Sequence, residues 1–153
     1  MRYQILLLCL LLQCCAACAQ PKGTARFAGV LPLKKGYTLV FLAKDKSSAL
    51  YRQPRIKAGN TVKKIDGFDD GNFSSKRIKL SPDGNYVTVE NIIRGYVQQS
   101  ETDSVFHENY GCAIVDLKKA KVVHYLQSDC DGAWNKQNEW ISDDKVIFSK
   151  DEQ

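Results

Sequence analysis

"IKLSPDGNYVTVE", residues 78–90, decides how the fold of this chain is read. Ser81-Pro82-Asp83-Gly84 is a tight reversal: proline pre-sets its φ, glycine accepts a positive one, and a β-rich strand restarts at Asn85. "EWISDDKVIFSK" (139–150) has the same order of parts, an apolar residue, a serine, an acidic turn and a β-rich strand. Trp140 stands where the first copy has Leu80, which marks it as a core residue. Outward from these two units, short apolar segments rich in β-branched and aromatic residues recur: 37–43, 47–56, 60–66, 76–81, 85–93, 111–117, 121–126 and 145–149. Gly, Asp, Asn, Pro and Ser separate them, Lys44-Asp45-Lys46 and the gap 67–75 being two such turns. Strands at this spacing predict an antiparallel all-β domain. After residue 19 no segment has the 3.6-residue periodicity of an amphipathic helix.

A "SPDG–strand" unit followed by "strand–DLxxxKV–strand" (114–125) resembles one blade of a β-propeller of the WD-repeat or periplasmic type, over roughly residues 76–149. A closed propeller takes at least four blades of about 40 residues, and this chain has room for two or three. The expectation is therefore a small antiparallel sandwich of two to three blade-like sheets, not a closed ring.

The chain opens "MRYQILLLCLLLQCCAACAQPKG". Arg2, an apolar run from Ile5 to Leu12 and small residues form the three regions of an export signal. The run is shorter than the roughly 20 residues of a membrane-spanning helix. Two processing routes fit. Ala17-Cys18-Ala19 suits cleavage before Gln20, which makes 1–19 a signal peptide and 20–153 a single all-β domain. Lipidation at Cys18 after Ala16-Ala17 would tie the protein to a membrane, although Cys15 replaces the usual leucine. The expected location is periplasmic or otherwise exported, with lipid anchoring to the envelope as the alternative.

Removing the leader leaves Cys112 and Cys130, an even number in an oxidising compartment, so a disulfide between them is expected. Neither belongs to a Cys-x-x-Cys pair, and His107 and His124 lack ligand spacing, so no metal site is expected. Arg2 is the one charge of the leader, which leaves 21 of the 22 basic residues against 17 acidic ones. Lys34-Lys35, Lys63-Lys64 and Lys118-Lys119 read as solvated turn charges. No basic-aromatic array of the nucleic-acid kind occurs, and no nucleic-acid partner is expected.

No catalytic constellation emerges. His107 falls in the polar stretch 98–111, read as a loop, and Ser104 three residues away lacks a third group to orient an imidazole. His124 reads as a packed or edge-strand residue. Asp129 and Asp131 offer oxygen ligands, but Gly132 comes too early and no glutamate closes a calcium loop. No phosphate loop or other cofactor motif is present, and none is expected. The remaining reading is binding by a monomer. A disulfide would turn 128–140 into a preorganised protrusion, with Ser128, Asp129, Asp131, Gly132, Trp134 and Asn135 as partner-binding residues. Trp134 suits an interface anchor and a core plug equally.

Cys112, Asp116, Cys130, Gly132, Trp134 and Trp140, with the Ser81-Asp83-Gly84 turn upstream, resemble the periplasmic immunity proteins that neutralise peptidoglycan-cleaving amidases delivered by type VI secretion. The resemblance covers roughly the C-terminal half. It implies a non-enzymatic inhibitor whose loop, here Ser128 to Asn135, plugs the cleft of a secreted cell-wall amidase. A general envelope-associated binding or assembly module is the alternative, and a small hydrolase a third.

Overall fold

The structure, a computed structural model, describes residues 26–68 and 71–152. The leader, with both processing routes and Cys18, lies outside the described residues, as do Asp69 and Asp70. Twelve strands follow in order: β1 (Gly29–Pro32), β2 (Tyr37–Lys44), β3 (Tyr51–Ala58), β4 (Thr61–Lys64), β5 (Asn72–Phe73), β6 (Lys79–Leu80), β7 (Tyr86–Gln98), β8 (Ser104–Asp116), β9 (Lys121–Leu126), β10 (Ala133–Trp134), β11 (Trp140–Ser142) and β12 (Lys145–Phe148). The only helical element among the described residues is a 3-10 turn at Lys150–Glu152. All ladders between these strands are antiparallel. The architecture is the all-β, unclosed one expected from the strand spacing.

The described residues form two sheets. One runs β1-β2-β3-β5-β7-β8-β9, with β4 beside β3 and β6 beside β7; the other is β10-β11-β12. Leu39 and Phe41 of β2 and Ile56 of β3 share one buried core with Val87 and Val89 of β7 and Ala113 and Val115 of β8. The large sheet therefore bends over and supplies both layers around this first core. Asp66, just past β4, makes a lone parallel bridge to Lys121, with Asp66 N–H to the Ala120 carbonyl and Val122 N–H to that of Asp66. One bridge without a ladder leaves the sheet open.

Side chains alternate across a strand, so β8 serves two cores. Ala113 and Val115 face the first, while Cys112 and Ile114 face a second one with Cys130, Trp140 and Phe148. The small sheet covers that outer face. Leu80 and Trp140, equivalent in the two repeated units, thus enter different cores.

The reversal at 81–84 forms as read. Gly84 sits at φ +69°, its N–H bonds the Ser81 carbonyl, and Ser81 Oγ accepts the Tyr86 N–H. Against burial, hydrogen bonds from Ser81 and Asn85 hold the Asp83 carboxyl below the usual aspartate value. Its counterpart reverses differently: Asp143 (φ +49°) and Asp144 (φ +57°) form a two-residue turn between the paired Ser142 and Lys145.

Two stretches correct the reading from sequence. Within 98–111 only residues 99–103 are a loop: β7 and β8 pair continuously from Tyr86↔Asp116 to Gln98↔Ser104, so His107 lies within a strand. The gap 67–75 contains β5, which joins β3 to β7.

Candidate functional site

Past Leu126, which pairs with Cys112, the chain leaves β8. It returns as Cys130, disulfide-bonded to Cys112. Both cysteines are fully buried under Trp140 and Phe148, so the staple is anchored in the second core. Such a bond is of the kind an exporting compartment maintains. Among the described residues no helix is long and apolar enough to cross a membrane.

Two cations from the stretch around β6 hold the loop, and local sequence carries no sign of either role. Arg77 Nη1 lies 3.1 Å from Asp129, 2.9 Å from Asp131 and 3.4 Å from Glu90. The Asp129 hydrogen bond, with the charges of Glu90 and Asp131, keeps the Arg77 guanidinium above its usual pKa. Lys79 Nζ donates to the carbonyls of Cys130 (3.0 Å), Asp131 (3.4 Å) and Gly132 (2.6 Å) and stands 5.5 Å over the Trp140 ring. β6 is in turn fastened to β7 by Thr88, whose hydroxyl bonds both the N–H and the carbonyl of Lys79.

The six residues read as partner-binding divide into two groups. Ser128, Asp129 and Asp131 lie at the surface, the two aspartates sharing Arg77. Gly132, Trp134 and Asn135 are engaged inside the molecule. A Cβ at Gly132 would strike the Ile141 carbonyl and the Trp140 ring. Trp134 is half-buried among Tyr86, Trp140 and Phe148, and its indole N–H donates to the Lys79 carbonyl at 3.1 Å. Asn135 Oδ1 accepts the Gln137 and Glu139 N–H groups and so shapes the turn into β11. Asp116 likewise accepts the Lys119 N–H, shaping the turn into β9.

Glu90, opposite Cys112 on β7, is buried at 3% exposure. Burial raises its pKa, and Arg77, Ser74 and the Cys130 amide do not offset that. Folding then favours the protonated acid, so the native state binds more protons than the unfolded chain just above the ordinary glutamate value. Stability is expected to fall as pH rises from about 4.5 through the native Glu90 value. Glu90→Gln should flatten that slope in denaturant titrations across pH 4 to 8, whereas an unchanged slope would assign it to another group.

Beside the loop lies a cleft of about 670 Å³, lined by His107 to Tyr110 on β8 and by Tyr125, Gln127, Ser128 and Asp129 across from it. It opens where β9 ends and leaves the outer edge of β8 bare. Ser104 and His107, three apart in one strand, point to opposite faces and cannot form a nucleophile–base pair. His124 lies on β9 with its ring 6.2 Å from that of Phe148. Residues 93–98 and 104–110 continue outward as a two-stranded arm with Tyr96, Phe106, Ile93 and Val97 exposed. A scan of known family models and searches of curated proteins and solved structures find no match to this chain.

Proposed function

We propose that this chain is an exported, non-enzymatic binding protein that inhibits a peptidoglycan-cleaving amidase by seating Ser128–Asp131 in the enzyme's cleft. The observation that carries the reading is the immobilised loop: one disulfide, one arginine and one lysine fix a segment with no reacting group of its own. A loop held in one conformation loses little entropy on docking. Asp129 and Asp131, at the surface of the loop, are the carboxylates it would offer to a basic or imidazole-lined cleft. The target class rests on the resemblance of the Cys112–Trp140 segment to immunity proteins. The same reading places the protein in the periplasm. The exposed arm, which a plugging loop does not use, favours the other reading, an envelope assembly module.

The test is to immobilise the mature chain from Gln20 and present it with the secreted fraction of its source organism. Retention of one peptidoglycan amidase, with bond cleavage abolished at equimolar ratio, is the expected result. Asp131→Lys should then slow association by about tenfold. An amidase that binds yet stays active, or a fraction from which none is retained, overturns the proposal.

A further inference from the structure

β9 runs beside β8 only as far as Leu126, opposite Cys112. From there the chain swings away, and the disulfide draws it back at Cys130 to the same Cys112. Among the described residues no strand pairs with that side of β8 from Ser104 to Gly111, although β7 continues on the other. An open edge is a template for another strand, and proteins usually block theirs with lysine, proline or extreme shortness. β4 carries Lys63 and Lys64 and β12 carries Lys145, whereas no lysine or proline occurs between Pro82 and Lys118.

This edge is also one wall of a slot. The 670 Å³ cleft has His107 to Tyr110 of β8 on one side and Gln127, Ser128 and Asp129 on the other. Its volume falls in the range of about 300–1,000 Å³ usual for ligand sites. Tyr125 closes the end nearest β9: its side chain lies over Gly111, where a Cβ would strike the phenol ring. Tyr110 is held as well, its hydroxyl donating to Glu108, which pairs with Arg94 at 2.7 Å. Walls fixed in advance keep the entropy cost of binding low.

The chemistry of the edge selects the occupant. A bare strand edge offers backbone N–H and carbonyl groups at a two-residue repeat, which an extended polypeptide matches and a sugar or lipid does not. Side chains on either face of such an added strand would meet different neighbours. Glu108 and Tyr110 lie on the face of Cys112, His107 and Asn109 on that of Ala113 and its partner Tyr125. Charge decides the direction. Glu108 and Asp129 line the cleft, whereas no lysine or arginine does. A strand antiparallel to β8 continues the course of β9 and so begins beside Ser128 and Asp129, its amino end meeting a carboxylate. A parallel strand would set its own carboxyl end there.

We propose that the free edge of β8 from His107 to Gly111 accepts an extended peptide as an added antiparallel strand, with its free amino end beside Asp129. This site goes beyond amidase inhibition and is read with peptides alone, so its failure and that of the plugging loop are told apart.

The test presents the mature chain from Gln20 to a random heptapeptide library with free amino termini. Retained peptides are expected to lack proline within the strand and to bind with a dissociation constant of about 100 µM or tighter. Alternate amides of an added strand face β8, so N-methylation of one alternate set should weaken binding by at least about tenfold and of the other by less than about twofold. Acetylating the amino end should weaken binding by about threefold, as for an exposed ion pair, and Asp129→Asn should remove that preference. Amide exchange within 107–111 should slow when peptide is bound. A library that yields no binder overturns the proposal, and so do binders indifferent to which set of amides is methylated.

Discussion

Replacing Cys112 and Cys130 together by alanine is expected to lower the unfolding free energy by about 3 kcal/mol. The bridge spans 18 residues, and opening it restores to the unfolded chain the freedom of a loop of that size. The native state loses as well, because both sulfurs are fully buried in the second core. Arg77 and Lys79 continue to hold the loop by hydrogen bonds. The fold should therefore survive with a lower denaturant midpoint, and amide exchange at 127–133 should accelerate. If the two cations alone sufficed, exchange there would stay at the wild-type level, and the staple would not be what orders the loop. Inhibition of a captured amidase should weaken in parallel with that exchange, since a loosened loop must be ordered again on docking.

Trp140→Ala is expected to cost about 3–5 kcal/mol, the range for emptying an aromatic site in a core that cannot collapse around it. Trp140 is 1% exposed, its ring meets Trp134 edge-on at 5.4 Å, and the Lys79 ammonium lies over it. Glycine at 132 exists to let that ring and the Ile141 carbonyl approach. Removing the ring takes away the plug between the small sheet and β8, so the small sheet should loosen before the first core does. Denaturant unfolding followed by far-UV signal and by fluorescence of the remaining Trp134 should then give two separated transitions. Coincident transitions with a loss under about 1 kcal/mol would mean that the disulfide alone keeps the small sheet in place.

Both expectations concern features that the sequence displays openly, and the reason lies in local chemistry. The Ser81–Gly84 reversal needs a proline and a glycine at fixed places, and Trp140 occupies the apolar slot of a repeated unit. The cysteine pair follows from an even count once residues 1–19 are read as an export leader. The short β-branched segments likewise declare strands, because alternation across a half-buried sheet leaves a period of two. The arm hid for the opposite reason. Its two faces are uncovered, so no burial pattern marks it, and "QQSETDSVFHENYG" (98–111) reads as a loop although 104–111 pair residue by residue with β7.

The clamp on the stapled loop was beyond any local reading. Arg77 meets Asp129 and Asp131 across 52 and 54 residues, a proximity created by the path of the sheet. Glu90 makes the same point within a strand. In "YVTVENII" it belongs to the face opposite Val87 and Val89, the usual place for a charge in contact with water. Alternation assigns Thr88 and Glu90 to one face and the valines to the other, and sequence goes that far. Whether a face meets solvent depends on what packs over it. Here the small sheet and the disulfide lie over the outer face, which buries Glu90, raises its pKa and brings Arg77 to it.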